Sequence, residues 1–200
     1  MPPAAYELGA AEPLSLAEVL AAARARPGKL NSASSGPGNS PHLTLELFKT
    51  MARVDIVHVP YKGATAAIVD LVGGQVDMMF ASMPSALPLA RAGKLRILAI
   101  SSATRVASLP EIPAVAESGL TGYEAVQWTA MMAPAATPAD ILSKLQKEIV
   151  AILRTNEIRD KLAVDGAEIV ASSPEEFATF LRNETVKWAA VVKAAGIAQE

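Results

Sequence analysis

The sequence predicts a three-layer α/β domain with a largely parallel sheet, and two observations carry this prediction. Helical patterns alternate with short runs rich in β-branched residues, which is typical of consecutive βα units. The composition is that of a globular chain, because 51% of the 200 residues are hydrophobic and 19% are charged. A chain of this length can bury a core for one domain or for two small lobes.

The first elements are marked by strong local signals. The residues Ser15-Leu16-Ala17-Glu18 form a capping box that predicts a helix to about Ala25, where Pro27-Gly28 stops it. A short strand is expected from Leu30. The polar loop that follows leads to Ser40, which we expect to cap a helix with Pro41 at its first position.

Two further βα units are predicted before residue 126. A strand at 55–59 ends at Pro60, and a helix at 64–72 ends at Gly73-Gly74. A β-rich run at 76–81 then leads to a short helix at 86–92 and a strand at 95–100.

The remaining residues predict more helix than strand. A strand is expected at 126–133, a helix from 138 to about 153, a helix at 156–164 and a short strand at 168–171. Ser173 and Glu176 form a second capping box that opens a long helix to about Ala194.

Composition also excludes several classes of function. A net charge of −2 with scattered Lys and Arg leaves no basic stripe for nucleic acid. Charged residues or proline interrupt each apolar stretch before the roughly 20 residues that a bilayer span requires. Cysteine is absent and the two histidines have no metal-binding spacing, so we predict neither a cofactor nor a metal.

The loop at 34–40, Ser-Ser-Gly-Pro-Gly-Asn-Ser, is the first candidate site. It lies between a predicted strand and a predicted helix, so its donors and hydroxyls converge on the positive end of a helix dipole, which suits a carboxylate. An ordinary βα turn rich in turn-forming residues is the alternative. A dinucleotide fingerprint fits less well, because Pro41 stands where the third glycine is needed.

Other polar residues leave several interpretations open. A triad of Ser35, His42 and an aspartate remains an alternative, although the sequence has no Gly-x-Ser-x-Gly elbow. We interpret Asp70 and Asp77 as structural carboxylates. Trp128 is a candidate for lining a cleft.

A series of short motifs makes the chain similar to a known family. The match runs from about Leu14 to Ile197, and the order and spacing of the motifs closely resemble the solute-binding receptors of tripartite tricarboxylate transporters, the TctC-like or Bug family. The motifs are Pro27-Gly28-Lys29-Leu30-Asn31, Ser34-Ser35-Gly36, His42-Leu43, His58-Val59-Pro60-Tyr61-Lys62-Gly63, Gly74-Gln75-Val76-Asp77, Pro84-Ser85-Ala86-Leu87, Gly93-Lys94-Leu95-Arg96, Glu117-Ser118-Gly119-Leu120, Trp128 and Thr137-Pro138.

This resemblance implies a type II periplasmic-binding fold, in which two α/β lobes close on a small carboxylate. The receptor would act in the periplasm, hand its ligand to membrane permease subunits and catalyse no reaction. The ligand-binding residues implied are Ser34, Ser35, Gly36, Gly38, Asn39, Ser40, His42, Ser82, Pro84, Ser85 and Trp128.

The resemblance also predicts how the chain divides. Residues 1–13 would be a remnant of the first lobe or hinge, 14–126 the ligand-binding lobe, and 127–200 a segment that returns to the first lobe. The residues after Met1 lack the features of a signal peptide, so we expect the export signal and most of the first lobe to lie outside these 200 residues. The amphipathic helices of the partial second lobe, especially 175–194, would then have an apolar face without a partner, which predicts either repacking onto the remaining domain or self-association.

Three functions remain as hypotheses. Carboxylate capture for a transporter leads, and the alternatives are a ligand-sensing or interaction protein of the same fold and a serine hydrolase. The identity of the ligand is not predicted, because a few pocket side chains and waters set selectivity.

Overall fold

The computed structural model describes residues 15–164 and 167–197. By their internal contacts the described residues form two compact units, one of 15–126 with 188–197 and one of 127–164 with 167–187. The predicted remnant at 1–13 lies outside the described residues. Within the described ranges, none of the helices combines the length and apolar character needed to cross a membrane.

Within its described residues the first unit contains a three-stranded parallel sheet, four complete α-helices and the last part of a helix that begins in the second unit. The elements in chain order are α1 (Leu16–Ala25), β1 (Asn31–Ser34), α2 (Ser40–Ala52), β2 (Val57–Pro60), α3 (Ala64–Val72), β3 (Met78–Met79) and α4 (Met83–Arg91). The strand order is β2-β1-β3, and both pairings are parallel. The predicted α/β class with a parallel sheet is therefore confirmed.

Local caps explain where the first two helices begin. In α1 the Ser15 hydroxyl accepts from the Glu18 amide while the Glu18 carboxylate accepts from the Ser15 amide, so the predicted capping box is confirmed. The predicted cap of α2 was wrong by one residue. Asn39 is the N-cap, because its side-chain oxygen accepts from the His42 amide at 3.1 Å, and Ser40 is the first helical residue.

Alternating side chains of β1 separate the two faces of the sheet. Ala33 packs with Ala67 of α3 and with Val76 in a small apolar cluster on one face. Ser32 and Ser34 point to the other face, where β2 presents His58. Helices therefore cover both faces, as the three-layer prediction requires.

The main core of the first unit surrounds Phe48 of α2. Phe48 and Tyr123 are fully buried and meet edge to face, with ring centroids 6.1 Å apart. The Tyr123 hydroxyl donates to the backbone carbonyl of Thr44 at 3.1 Å, which ties residues 79 positions apart. Leu16 and Leu20 of α1 belong to the same cluster.

Two predicted strands of the first unit are shorter than expected. The run at 76–81 pairs only at Met78 and Met79. The run at 95–100 forms a single bridge, between Ile100 and Ala114, and is otherwise not a strand. A 3-10 turn at Val115–Ser118 follows the bridge. The short predicted helix at 86–92 begins earlier, at Met83.

The second unit is helical within its described residues. It contains α5 (Ala139–Leu153), α6 (Asn156–Val164) and the first part of α7 (Pro174–Ala195), and Ser173 and Glu176 form the predicted capping box of α7. The strands predicted at 126–133 and 168–171 were wrong, because those residues pair with no strand in the described part of the chain. Ala171 has a φ of 49°, which is outside the range of a strand.

Candidate functional site

The carboxyl ends of the three parallel strands form one edge of the sheet. The chain leaves the central strand β1, pairs on one side as β2, and returns to the other side as β3. The strand order therefore reverses next to β1, and open α/β sheets bind ligands at such a switch point. Ala33 and Met79 are register partners there, so the loops after these two strands begin side by side.

The first turn of α2 offers one backbone donor at this edge. Asn39 caps the His42 amide, and Pro41, at the second helical position, has no N–H. The Ser40 amide has no protein acceptor within the described residues. It is therefore available to a ligand oxygen.

The first turn of α4 repeats this arrangement. Ser82 is its N-cap, Pro84 occupies the second helical position, and the Ser85 amide donates to the Ser82 carbonyl at 3.1 Å. The Met83 amide has no acceptor in the part of the chain that is described. The hydroxyls of Ser82 and Ser85 lie 2.8 Å apart beside this amide.

The helices at this edge differ in charge from the others. The first turns of α2, α3 and α4 contain no acidic residue, whereas those of α1, α5, α6 and α7 contain at least one. A carboxylate in the first turn neutralises the positive end of the helix dipole. At the carboxyl edge of the sheet that positive potential is left for an external anion.

The loop after β1 is held by its own side chains. The Asn39 side-chain amide donates to the Ser35 hydroxyl oxygen at 2.7 Å, so Ser35 keeps its own proton for another acceptor. Gly36 has a φ of 143°, a conformation that L side chains rarely adopt. Gly38 and Ser40 are exposed and Ser35 is half-buried, so the loop is open to solvent.

Ser34 lies behind the loop and not on its open side. It is 0% exposed, and its hydroxyl oxygen is 2.6 Å from the His58 Nε2 atom. The Gly36 amide also donates to this oxygen, at 3.2 Å. A ligand in solvent cannot reach Ser34 in this conformation.

His42 also supports the loop from behind. It is 7% exposed, and its Nδ1 atom accepts from the Gly38 amide at 2.9 Å. Its ring stacks on that of His58 with centroids 3.8 Å apart and an angle of 10° between the planes. The Nε2 atom of His42 is 3.7 Å from a carboxylate oxygen of Glu46, which also pairs with Lys49 at 2.8 Å.

Burial keeps both imidazoles uncharged at neutral pH. Desolvation is the main reason that the pKa of His42 is lowered, and the Glu46 carboxylate opposes it in part. Desolvation and then the neighbouring His42 lower the pKa of His58 from 6.5 to about 4. The uncharged His42 ring can accept from the Gly38 amide through Nδ1, and the contact between His58 Nε2 and the Ser34 hydroxyl can form with either group as the donor.

The alternative triad of Ser35, His42 and an aspartate is not formed. The Ser35 hydroxyl contacts Asn39, whereas the two ring nitrogens of His42 face the Gly38 amide and Glu46. Asp70 accepts from the Tyr61 hydroxyl at 2.8 Å, and Asp77 accepts from the Asn31 amide at 2.7 Å. Both aspartates therefore have structural partners, as predicted.

The structure places the remaining predicted residues in two groups. The loop 35–40 and the segment 82–85 follow adjacent strands of the first unit. Trp128 belongs to the second unit, where its ring meets Phe177 and Phe180 edge to face at 5.7 Å and 5.6 Å. Its approach to a ligand stays a prediction.

His58 is a residue that the sequence did not assign to the site. Its position near the end of the second strand, two residues before Pro60, could have indicated a place at the site. Parallel strands bring their last residues to the same edge of a sheet. No group of three or more potential metal ligands occurs among the described residues.

Comparison with known proteins identifies the family. Residues 8–197 match the model of the tripartite tricarboxylate transporter family receptor, TctC. The chain belongs to this family. The family is one of receptors and not of enzymes, which agrees with the predicted class of function.

Curated relatives of this TctC-family chain are bacterial. It is 37% identical over 174 residues to the UPF0065 protein in the tcbD-tcbE intergenic region of Pseudomonas sp., covering 86% of this chain and 52% of the relative. It is 36% identical over 182 residues to protein BugT of Bordetella pertussis, covering 91% and 56% respectively. The chain thus spans about half the length of these relatives.

Solved structures confirm the fold class. A protein of R. palustris solved with adipate superposes with a TM-score of 0.84 at 37% identity, covering 95% of this chain and 64% of that one. The periplasmic binding protein BugD gives 0.81 at 29% identity, covering 96% and 65%. MatC from Rhodopseudomonas palustris with bound malate gives 0.76 at 30% identity, covering 90% and 62%.

Proposed function

We propose that this TctC-family chain captures a small carboxylate at the carboxyl edge of its sheet, as part of a periplasmic receptor for a tripartite tricarboxylate transporter. Adipate and malate, the ligands of two similar structures, are the first compounds to test. The receptor would deliver its ligand to membrane permease subunits, in agreement with the family description.

The absence of acidic residues from the first turns of α2, α3 and α4 carries this proposal. A carboxylate placed there meets the positive ends of helices without a competing side chain. The amides of Ser40 and Met83 supply donors of the same kind at the starts of the helices that follow the paired strands β1 and β3.

Within this proposal the predicted residues have different roles. Direct donors would be the Ser35 and Ser82 hydroxyls and the Ser40 amide. The Ser85 hydroxyl donates to the Ser82 carbonyl at 2.8 Å, so it would support the Ser82 hydroxyl. Burial argues for an indirect role of Ser34 and His42. The loop shape depends on residues that supply turns, caps and rigid helix starts, namely Gly36, Gly38, Asn39 and Pro84.

Calorimetry of the 200-residue chain tests the proposal. Adipate and malate are titrated at pH 7.5, with adipamide as an uncharged analogue of the first. We expect heat from at least one of the two acids and none from adipamide, because the site attracts negative charge. Absence of heat with both acids would contradict capture of these dicarboxylates by this chain.

Ser40→Asp separates binding from folding. The new carboxylate stands at the first position of α2, where it should stabilise the helix by about 0.3–1 kcal/mol and repel an anionic ligand. We expect an equal or higher melting temperature together with weaker adipate binding. Unchanged affinity in Ser40→Asp would place the ligand elsewhere.

Thr50→Asp is the matched control. It makes the same change of charge on an exposed residue of the same helix, ten residues away and about 15 Å along the axis. Binding should be close to that of the unaltered chain. An equal loss in both variants would point to net charge as the cause.

A further inference from the structure

Two imidazoles hold two amides of the proposed anion loop. The Gly38 amide donates directly to the Nδ1 atom of His42 at 2.9 Å. The Gly36 amide reaches His58 through the Ser34 hydroxyl, with steps of 3.2 Å and 2.6 Å. Both glycines have positive φ angles, which glycine adopts as readily as negative ones, so these contacts select one of several backbone shapes open to the loop.

The contact at Gly38 requires an unprotonated nitrogen. A neutral imidazole has one nitrogen that accepts, and in His42 that nitrogen must be Nδ1, which leaves the proton on Nε2 facing Glu46. A protonated ring donates from both nitrogens. The Nδ1 proton would then oppose the Gly38 N–H, and the loop would have to move.

The stacked geometry couples the two rings. Centroids 3.8 Å apart leave no room for solvent between the faces, so a charge on one ring disfavours a charge on the other. Glu46 and Lys49 of α2 are the charged groups whose fields reach the pair in the described structure, and they oppose each other. β1 faces the pair with Ser34, which is neutral.

We propose that His42 and His58 are positioning residues for the anion loop and that His42 holds it in its binding shape only while its ring is uncharged. Acidification would break the hydrogen bond from the Gly38 amide to His42, alter the conformation of the loop and lower its affinity for a carboxylate. This inference rests on the proposed function, but its central step is a property of the loop itself.

Nitrogen NMR of the unliganded chain tests that step without a ligand. At pH 7.5 we expect the His42 Nδ1 shift of an unprotonated acceptor and a Gly38 amide that exchanges slowly with solvent. Lowering the pH towards 4 should protonate the ring and release the Gly38 amide in the same transition. A proton on Nδ1 at pH 7.5, or a Gly38 amide unaffected by ring protonation, would overturn the proposal.

Non-titrating variants test the consequence for binding. His42→Asn and His58→Gln place a neutral acceptor near the Nδ1 and Nε2 positions respectively, and His42→Leu removes the acceptor. With adipate at pH 7.5, we expect His42→Asn and His58→Gln to bind within a few-fold of the unaltered chain. His42→Leu should bind about tenfold more weakly, the effect of one lost hydrogen bond.

The pH profile distinguishes positioning from simple packing. Adipate itself titrates in acid, so the ratio of affinities between the unaltered chain and His42→Asn is compared at each pH. We expect this ratio to fall below its pH 7.5 value as the pH drops towards 4.5, and a constant ratio would contradict the inference. If adipate gives no heat with any form, the proposed function fails for this ligand while the NMR result still decides the inference.

Discussion

The hydroxyls of Ser32 and Ser34 lie two residues apart on the same face of β1 and are both fully buried, yet they differ in their partners. Ser34 contacts His58 and Gly36, whereas the Ser32 hydroxyl has no hydrogen-bond partner within the described residues. A buried polar group without a partner costs free energy that an apolar group of similar size does not.

We therefore predict opposite effects of alanine at the two positions. Ser32→Ala should leave the free energy of unfolding unchanged or raise it by about 0.5–1 kcal/mol. Ser34→Ala should lower it by about 1–3 kcal/mol, because the Gly36 amide and the His58 ring lose a buried partner. Urea unfolding measures both variants, and a loss above 1 kcal/mol in Ser32→Ala would show that its hydroxyl has a partner such as bound water.

The lowered pKa values of the two histidines predict that the chain is less stable in mild acid. The unfolded chain takes up a proton near pH 6.5, whereas folded His58 does so at about 4, so the unfolded state binds more protons between these values. Stability from this source is complete above pH 6.5 and is lost as the pH falls towards 4, by about 1–2 kcal/mol for a half-buried ring.

His58→Gln isolates the contribution of that ring from the titration of carboxylates. The difference in free energy of unfolding between the variant and the unaltered chain should shift in favour of the variant as the pH falls from 7.5 to 4.5. Thermal unfolding across this range gives the profile, and parallel curves would contradict a lowered pKa at His58.

The hydrogen bond from Tyr123 to Thr44 predicts a moderate effect of removing one oxygen atom. Tyr123→Phe keeps the ring contacts with Phe48 and Phe80 and loses only the hydroxyl donor. We expect a loss of about 0.5–1.5 kcal/mol in unfolding free energy. Tyr123→Ala should cost about 3–5 kcal/mol because it leaves a cavity in the core. Equal effects of the two changes would mean that the ring contributes little.

Exposed apolar residues in the second unit predict self-association. Ile141, Leu142, Leu145 and Ile152 of α5 are exposed at helical spacing, and an uncovered apolar stripe of this kind favours contact with another apolar surface. We expect sedimentation velocity to show a concentration-dependent increase in mass that Leu145→Lys reduces. Lys147→Ala is a control on the same helix. A compact monomer at all concentrations would contradict the prediction.

Local sequence signals predicted the helices better than the strands. The ends of α3 and α6 matched because glycines, caps and polar residues near those ends act within one turn. The runs at 95–100, 126–133 and 168–171 have β-like composition, but a strand exists only where a partner lies beside it. A single sequence does not show which partners are present.

The sequence predicted where the candidate site lies in the chain but not which of its residues are buried. The polar loop after β1 was recognised from a strand end and turn residues, whereas Ser82 after β3 was assigned from the family resemblance. That Ser34 and His42 face inward depends on the alternation of β1 and on the contact of α2 with β2. Such a contact joins residues distant in sequence, so motif spacing alone did not distinguish a donor to the ligand from a support of the loop.

The central place of β1 determines how the chain should behave on the timescale of hydrogen exchange. Its backbone is bonded to β2 on one side and β3 on the other, so its amides become exchangeable only when the sheet itself opens. The loop that begins at Ser35 is thus attached at its first residue to the central strand of the sheet. We therefore expect the start of the loop to be ordered before a ligand binds, so that little binding free energy is lost in ordering this part of the site.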